Sequence, residues 1–208
     1  MIETSEEFTA RRLGRVGASR IADIMAKGKG MTRKRYMSEL LRERLTGKVA
    51  ERFKTKAVEY GKETEDEARD AYELETGIPV IQCRGCAHPF IIGAGASPDG
   101  LICDDEKKII LGCLEIKVPE PWTHDDFIET GIIDLRYKYQ MNFQMACVRP
   151  VEWWCDHENY DPDLPGRLSC IIKRYYFDPK MEEEIEKEII AFIEELDALE
   201  ARMRERMA

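Results

Sequence analysis

The sequence lacks the features of membrane-spanning, secreted and repetitive proteins. None of the apolar runs in its 208 residues approaches the roughly 18 residues that a membrane helix needs. The first 12 residues are charged where a signal peptide would be apolar. Linkers, internal repeats and low-complexity tracts are missing as well. These absences predict one globular domain, without a membrane span, in the cytoplasm.

Regularly paired cysteines are also missing. The seven cysteines are odd in number and irregularly spaced, which favours free thiols in a reducing compartment over a disulfide framework. Cys83 and Cys86 form a CxxC, but the next pair, Cys103 and Cys113, is ten residues apart and does not have zinc-ribbon spacing. Buried free thiols are therefore the favoured interpretation, and a structural metal site is the alternative.

Acidic residues are scarce in only one part of the chain. The whole sequence has 32 Lys and Arg against 41 Asp and Glu, a net charge of −9, and such a balance by itself argues against a nucleic-acid partner. Residues 11–56 nevertheless hold fifteen basic and four acidic residues, a local balance of +11 that leaves −20 for the rest. A chain polarised in this way can present one face to a polyanion, although basic helices are often only solvated surface. The densest basic cluster contains Lys27, Lys29, Arg33, Lys34 and Arg35.

Apolar periodicity and turn residues predict helices first and strands after Gly77. The predicted helices span residues 18–27, 32–46 with Thr32 as its cap, 57–76, 137–148 and a final segment that begins with Asp178 as cap and Pro179 in its first turn. The predicted strands span residues 78–83, 89–93, 100–103, 109–117, 151–155 and 168–177. This order predicts an α/β fold with a mixed central β-sheet flanked by helices.

Three charged residues interrupt strand-like segments between residues 97 and 117. Asp99 begins one segment, while Glu115 and Lys117 are two residues apart in the next, so their side chains lie on the same face of a strand. If the two strands pair, Asp99 converges on Glu115. Two carboxylates and the backbone carbonyl of Ile116 form a hard-oxygen site suited to Mg²⁺ or Mn²⁺, and a neighbouring lysine can stabilise charge that develops on a phosphate. The alternative is an ion pair at a sheet edge.

Glu65 is a further candidate carboxylate, on the helix predicted over residues 57–76. It falls on one helical face with small and apolar residues such as Ala68 and Tyr72, whereas the other acidic residues of that segment fall elsewhere. A partly buried glutamate paired with an arginine is the alternative interpretation.

Several short motifs occur in a distinctive order along the chain. They are Tyr60-Gly61-Lys62, then Glu65 and Ala68-Arg69, then Ser97-Pro98-Asp99-Gly100-Leu101, and finally Leu114-Glu115-Ile116-Lys117-Val118-Pro119. This succession resembles the lambda exonuclease family, the YqaJ-type viral recombinase group of the PD-(D/E)xK nucleases. The resemblance implies a restriction-endonuclease-like PD-(D/E)xK core in a single nuclease domain over residues 1–208. Within that domain we expect a basic helical DNA-binding part (11–56), a catalytic core (57–177) and a C-terminal helix (178–208).

The resemblance also implies roles for the matching residues. Asp99 and Glu115 match the metal-binding carboxylates, Lys117 matches the catalytic lysine, and Glu65 matches the helical carboxylate that completes the site, often through water. The family's chemistry implies two Mg²⁺ ions, for which Mn²⁺ can substitute.

A 5′-phosphate site is implied near the N-terminus. In the family an arginine and a hydroxyl-rich helix start hold the 5′-phosphate, and Arg12 and Ser19 match them. Gly17 stands where the family commonly has Thr, and the usual upstream Trp is absent, which makes Arg15 a candidate substitute for the missing contacts.

Residues 137–148 match a helix that lies beside the family's active site. Tyr139 and Gln144 match the tyrosine and glutamine of that helix, with Gln140 one turn before Gln144. Ordinary helix packing is the alternative interpretation.

The activity implied by the resemblance is 5′→3′ exonucleolytic degradation of one strand of linear double-stranded DNA. It further implies mononucleotide products, a 3′ single-stranded overhang, a homotrimeric ring around the duplex, and a single-strand annealing partner in phage-type recombination. Two alternatives stay open. One is a PD-(D/E)xK endonuclease of restriction or repair type, and the other is a non-catalytic DNA-binding or assembly subunit, against which the joint presence of Asp99, Glu115 and Lys117 argues.

Overall fold

The computed structural model describes residues 12–26, 31–49, 56–104 and 106–207. Within 56–104, the side chains described are those of Tyr60 and of residues 64–104. Lys27 and Lys29 of the basic cluster lie outside the described residues, as does the side chain of Lys62 in the first motif.

The chain forms helices on both sides of a mixed sheet. The helices are α1 (Ile21–Met25, after a 3₁₀ turn over Ala18–Arg20), α2 (Met31–Thr46), α3 (Lys56–Thr76), α4 (Pro121–Thr130), α5 (Leu135–Val148) and α6 (Pro179–Glu205). The strands are β1 (Val16–Gly17), β2 (Val80–Ile81), β3 (Cys86–Ala87), β4 (Ala94–Ala96), β5 (Gly100–Cys103), β6 (Ile110–Lys117), β7 (Trp154–Tyr160) and β8 (Cys170–Tyr176). The predicted α/β class is confirmed.

The central sheet has five strands in the order β2-β5-β6-β7-β8. All neighbouring pairs are antiparallel except β6 and β7, which are parallel. Parallel neighbours need a long crossover, and α4 and α5 lie in that connection. A second, smaller sheet has the order β1-β4-β3.

Alternation along β6 separates the two faces of the central sheet. Leu114 and Ile116 pack in a cluster that includes Ala68 and Tyr72 of α3. Cys113 packs on the other face with Met141 and other residues of α5. Because successive side chains of a strand point to opposite faces, Glu115 and Lys117 lie on the α5 face.

The largest apolar cluster lies beside this sheet, between the N-terminal helices and α6. Tyr36 of α2 and Phe192 of α6 are both buried and stack with a centroid distance of 5.5 Å. The cap and first turn of α6 were correctly predicted, since Asp178 accepts hydrogen bonds from the first backbone N–H groups of the helix and Pro179 occupies its first position.

Part of the basic segment is neutralised within the molecule. Arg33 of α2 makes two hydrogen bonds of 2.8 and 2.7 Å to Glu195 of α6, and Arg44 pairs with Asp197 at 2.5 Å. Lys34 and Arg35 are exposed instead. Because the acidic helix α6 packs against α2, the charge of Arg33 is compensated within the molecule.

Three predictions of secondary structure were wrong in detail, and one helix was not predicted. Residues 89–93 form a turn, and the strands lie on either side of it. The strand expected over 151–155 is β7, which begins later, at Trp154, and extends to Tyr160. Many of its buried residues are polar, so an apolar pattern does not identify the strand. Helix α4 was not predicted. Helix α2 begins at Met31, so Thr32 lies inside its first turn and is not its cap.

In the part of the chain that the structure describes, no helix has both the length and the apolar character needed to cross a membrane.

Candidate active site

Asp99 and Glu115 converge because β5 and β6 pair. Asp99 directly precedes β5, and the adjacent Gly100 pairs with the residue before Glu115. The backbone N–H of Ile116 donates to Asp99 Oδ2 at 2.8 Å. A Cβ at Gly100 would lie 2.4 Å from Val80 Cγ1, so only glycine allows β2 and β5 to pack this closely beside the carboxylates.

Glu115 is fully buried and its two carboxylate oxygens are held by three donors. Lys117 Nζ and Gln140 Nε2 donate to Oε1, the latter at 2.6 Å. Gln144 Nε2 donates to Oε2 at 2.5 Å. Lys117 Nζ also donates to the carbonyl of Ile116 at 3.1 Å. Helix α5 therefore fixes the orientation of a carboxylate on β6 through Gln140 and Gln144.

Glu65 reaches the edge of this cluster from α3. Arg69 donates to Glu65 Oε1 at 2.9 Å and, through Nε, to the backbone carbonyl of Asp99 at 3.2 Å. The pairing with an arginine agrees with the alternative interpretation of Glu65, but the same arginine joins α3 to the segment that carries Asp99. Burial raises the pKa of Glu65, Arg69 lowers it, and the charge of Glu115 raises it further.

The ionisable groups of the cluster perturb one another strongly. Burial and then the charge of Glu115 raise the pKa of Asp99 well above its usual range, with Lys117 opposing and Glu65 adding to the increase. Burial alone would lower the pKa of Lys117, but Glu115 and Asp99 outweigh it and raise that pKa. Three carboxylates that repel one another around one ammonium form a donor set that a divalent hard cation stabilises. The residues therefore fit Mg²⁺ or Mn²⁺.

Tyr137 and His157 also belong to this site, and neither was predicted from the sequence. Lys117 Nζ lies 5.2 Å from the centroid of the Tyr137 ring, and that ring stacks on His157 at 5.3 Å with an interplanar angle of 28°. Burial and then Lys117 lower the pKa of His157 to about 3, so the imidazole is neutral. The spacing of Tyr137, Gln140 and Gln144 on one helical face could have identified the tyrosine.

The N-terminal candidates lie on another segment that contacts the same helix. Ser19 is exposed in the 3₁₀ turn Ala18–Arg20, which packs against α5. Arg12 has helical backbone and Arg15 lies in the bend before β1, and both side chains are exposed. Tyr139 packs against the apolar cluster that includes Ala18. The structure thus places Tyr139 against the N-terminal segment, while Tyr137 takes the position beside the carboxylates.

A separate polar cluster joins α6 to the loop after β3. The ligand atoms of His88, Glu182 and Glu186 all lie within 4.8 Å of one another, a spacing at which three side chains can share a metal ion. The backbone N–H of Ile91 donates to His88 Nδ1 at 3.0 Å, so the ring proton is on Nε2, which lies 3.4 Å from Glu186 Oε1. A metal-bound histidine normally donates from its other ring nitrogen. With its proton on Nε2, His88 does not offer a lone pair there, so this geometry argues against a metal ion on the histidine.

We predict that Glu182→Gln makes the protein more stable at pH 8 but not at pH 5. Burial raises the pKa of Glu182 from 4.5 to about 7, partly opposed by the hydrogen bond from Asn142. An acid with a raised pKa in the folded state binds more protons there, so its stability contribution is present at low pH and lost as the pH rises through 7. The gain at pH 8 should be about 1–3 kcal/mol in urea unfolding. Exposed Glu183→Gln is the control, and stabilisation of the wild type by Zn²⁺ would contradict the proton interpretation.

All seven cysteines are free thiols. Cys83 Sγ and Cys86 Sγ are 3.9 Å apart, and six of the seven side chains are buried. The favoured interpretation of the cysteines as buried thiols agrees with this arrangement.

Comparisons with known proteins bear on the whole chain. The sequence profile of the YqaJ-like viral recombinase domain matches residues 7–149. LHK-Exo, an alkaline exonuclease from Laribacter hongkongensis with a crystal structure in complex with dAMP, is 40% identical, with 98% of each chain covered and a TM-score of 0.88. A phage-related exonuclease from Haemophilus somnus 129PT is 16% identical over 91% of this chain and 96% of its own, and its TM-score of 0.68 shows a likeness of fold alone. No curated protein matches the chain significantly.

The resemblance drawn from the motifs is confirmed by these matches. The profile covers more than half of the chain, and the identity with LHK-Exo extends over nearly all of it. The chain therefore belongs to the YqaJ-like viral recombinase family and is a nuclease of the lambda exonuclease type.

Proposed function

We propose that this nuclease is a metal-dependent 5′→3′ exonuclease that degrades one strand from the end of double-stranded DNA. The observation that carries the proposal is the convergence of Asp99, Glu115 and Lys117 on one face of the sheet, with Glu65 at its edge. The complex of LHK-Exo with dAMP supports mononucleotides as products. Removal of 5′ nucleotides would leave a 3′ single-stranded overhang.

Asp99, Glu115 and the carbonyl of Ile116 would hold two Mg²⁺ ions, with Glu65 binding directly or through water and Mn²⁺ able to substitute. Bound there, such ions supply Lewis-acid stabilisation of the charge on the scissile phosphate. Gln140 and Gln144 are neutral donors that hold the Glu115 carboxylate without adding a competing positive charge.

Lys117 acts in this proposal as a cation. Its neighbours raise its pKa, so the ammonium stays protonated, and it can orient a water and stabilise negative charge on the phosphate. Abstraction of a proton from the attacking water is then assigned to Glu65, which lies at the edge of the cluster. The charges of Lys117 and Glu65 both act on the pKa of Asp99, which Lys117 lowers and Glu65 raises.

Arg12 and Ser19, with Arg15 as a substitute contact, would hold the 5′-phosphate of the DNA end. Tyr139 packs against this segment and Gln144 binds Glu115, so one helix links the phosphate site to the carboxylates. The exposed Lys34 and Arg35 would contact the DNA backbone without reading its sequence.

We predict that Arg12→Ala weakens the preference for 5′-phosphorylated ends. Hydrogen bonds from a guanidinium to a phosphate are charge-assisted, so the KM for phosphorylated ends should rise about 10-fold. Ends without a phosphate should be cut as by the wild type. Arg167→Ala, which removes an arginine whose side chain is 90% exposed, is the control. Equal cleavage of both kinds of end by the wild type would rule out this phosphate site.

Assembly and cellular role form the last part of the proposal. We propose a homotrimeric ring of single nuclease domains, each with the DNA-binding part, catalytic core and C-terminal helix over 11–56, 57–177 and 178–208. The ring would work in the cytoplasm with a single-strand annealing protein in phage-type recombination. Analytical ultracentrifugation tests the trimer.

The experiment that tests the activity uses linear duplexes phosphorylated at one 5′ end and labelled on either strand. With Mg²⁺ we expect mononucleotides from the phosphorylated strand, and with chelator none. Covalently closed circular DNA should stay intact. Cleavage of the circle would favour the endonuclease alternative, and binding of ends without hydrolysis in Mg²⁺ or Mn²⁺ would favour the non-catalytic one.

A further inference from the structure

His157 is a buried polar residue that takes no direct part in the proposed metal site. Its exposed fraction is 1%, and its Nδ1 has no hydrogen-bond partner among the described residues. It pairs with Glu115 in the parallel ladder between β7 and β6, so its side chain lies on the α5 face of the sheet. Burying a polar atom without a partner costs free energy that an apolar side chain would avoid.

Apart from a side-chain hydrogen bond with Asn159, the contacts of the His157 ring are aromatic. Tyr137 stacks on it at 5.3 Å with an interplanar angle of 28°. Phe127 of α4 meets it nearly edge-on, at 5.3 Å and 81°. A flat ring at this position therefore fills the space between two helices and presents one face to Tyr137.

The ring of Tyr137 in turn contacts two cations. Lys117 Nζ lies 5.2 Å from its centroid, and the guanidinium of Arg136 lies 5.0 Å from it. The side chain of Arg136 is largely exposed, whereas Lys117 is bound to Glu115. The face of an aromatic ring attracts a cation, and the attraction depends on the orientation of the ring.

We propose that His157 is a positioning residue that acts through Tyr137: its stacked ring sets the plane of Tyr137, which holds the Lys117 ammonium at the scissile phosphate. This inference rests on the proposed role of Lys117. It assigns to His157 a function in turnover and none in contact with DNA or metal.

The first test compares His157→Leu with His157→Phe on the complete protein. An aromatic contact is worth enough to change a rate about 3- to 10-fold. His157→Leu should lower kcat on linear duplex by that factor, with KM for DNA ends and the Mg²⁺ requirement unchanged, and His157→Phe should restore kcat. Failure of the phenylalanine to restore it, or a change in KM alone, would overturn the proposal.

A double-mutant cycle keeps the test decisive if His157→Leu folds poorly. Tyr137 is only partly buried, and Tyr137→Leu should lower kcat at least as much. In a protein that carries Tyr137→Leu, the His157→Phe variant should have the same kcat as the protein with His157. If the double variant with His157→Leu folds, its kcat should be no lower than that of Tyr137→Leu alone. An additive loss would show that His157 acts by another route.

His124 provides a matched control. It is also fully buried, with an unpartnered Nδ1, but its Nε2 contacts the carbonyl of Leu168. His124→Leu should leave kcat unchanged below its unfolding temperature. If Lys117→Ala retains activity, the proposed function fails. If Lys117→Ala is inactive while His157→Leu keeps the wild-type kcat, only the positioning role fails.

Discussion

Lys117→Ala should abolish hydrolysis of linear duplex DNA, with kcat reduced by about 10³-fold or more. The ammonium is the positive side chain bonded to the buried Glu115 carboxylate, and no neutral residue can supply its charge to the phosphate. The fold should survive, because Glu115 keeps the hydrogen bonds from Gln140 and Gln144. Release of mononucleotides at saturating Mg²⁺ is the measurement, together with circular dichroism and thermal unfolding.

Two further variants test whether hydrolysis depends on the ammonium of Lys117 and not on positive charge in general. Lys117→Arg keeps the charge but replaces a compact ammonium by a planar fork, so it should recover only part of the activity. Lys108→Ala removes a lysine whose side chain is 73% exposed in the turn before β6, and it should be fully active. An active Lys117→Ala protein would exclude the proposed catalytic arrangement.

Asp99→Asn should have opposite effects on activity and on stability. Loss of a metal-binding carboxylate removes several kcal/mol of transition-state stabilisation, so we expect a decrease in kcat of about 10³-fold. In chelator, however, the variant should unfold about 2–4 °C above the wild type. The reason is that Asp99 is buried beside Glu115 and Glu65, whose charges raise its pKa, while an asparagine can still accept the hydrogen bond from Ile116.

Mg²⁺ distinguishes this explanation from a general effect on folding. A ligand that binds only the folded state raises its unfolding temperature, so Mg²⁺ should stabilise the wild type, and Asp99→Asn should lose most of that shift. Asp66→Asn is a matched control, because Asp66 also pairs with Arg69 but its side chain is 86% exposed. A variant that unfolds earlier than the wild type in chelator would contradict the electrostatic account.

Much of the carboxylate site could be predicted from the sequence because its geometry is local. A two-residue spacing on a strand places Glu115 and Lys117 on one face whatever the rest of the chain does. Antiparallel pairing of neighbouring segments then brings Asp99 to Glu115, and the observed register does so. The cap of α6 at Asp178 was predictable for the same reason, since it needs only the backbone of the next residues.

The parts that were not predicted depend on partners distant in sequence. Tyr137 and Tyr139 are similar residues on one helix, and only the packing of α5 decides which of them meets Lys117. Strand β7 was placed too early because it carries buried polar residues, and some of these, such as Asp156, form hydrogen bonds with groups distant in the sequence. Asp156, for example, accepts hydrogen bonds from Tyr72 at 2.8 Å and from Arg174 at 2.8 and 2.9 Å.

The sequence by itself determined the α/β class, the acid–acid–lysine set and the family resemblance, because periodicity and motif spacing act over a few residues. Tertiary structure alone decided how the charges are used. It pairs Arg33 and Arg44 with acidic residues of α6 and leaves Lys34 and Arg35 exposed. It also surrounds Glu115 with two amides from another helix. Such pairings follow from the free energy of packing distant surfaces together, which no local pattern records.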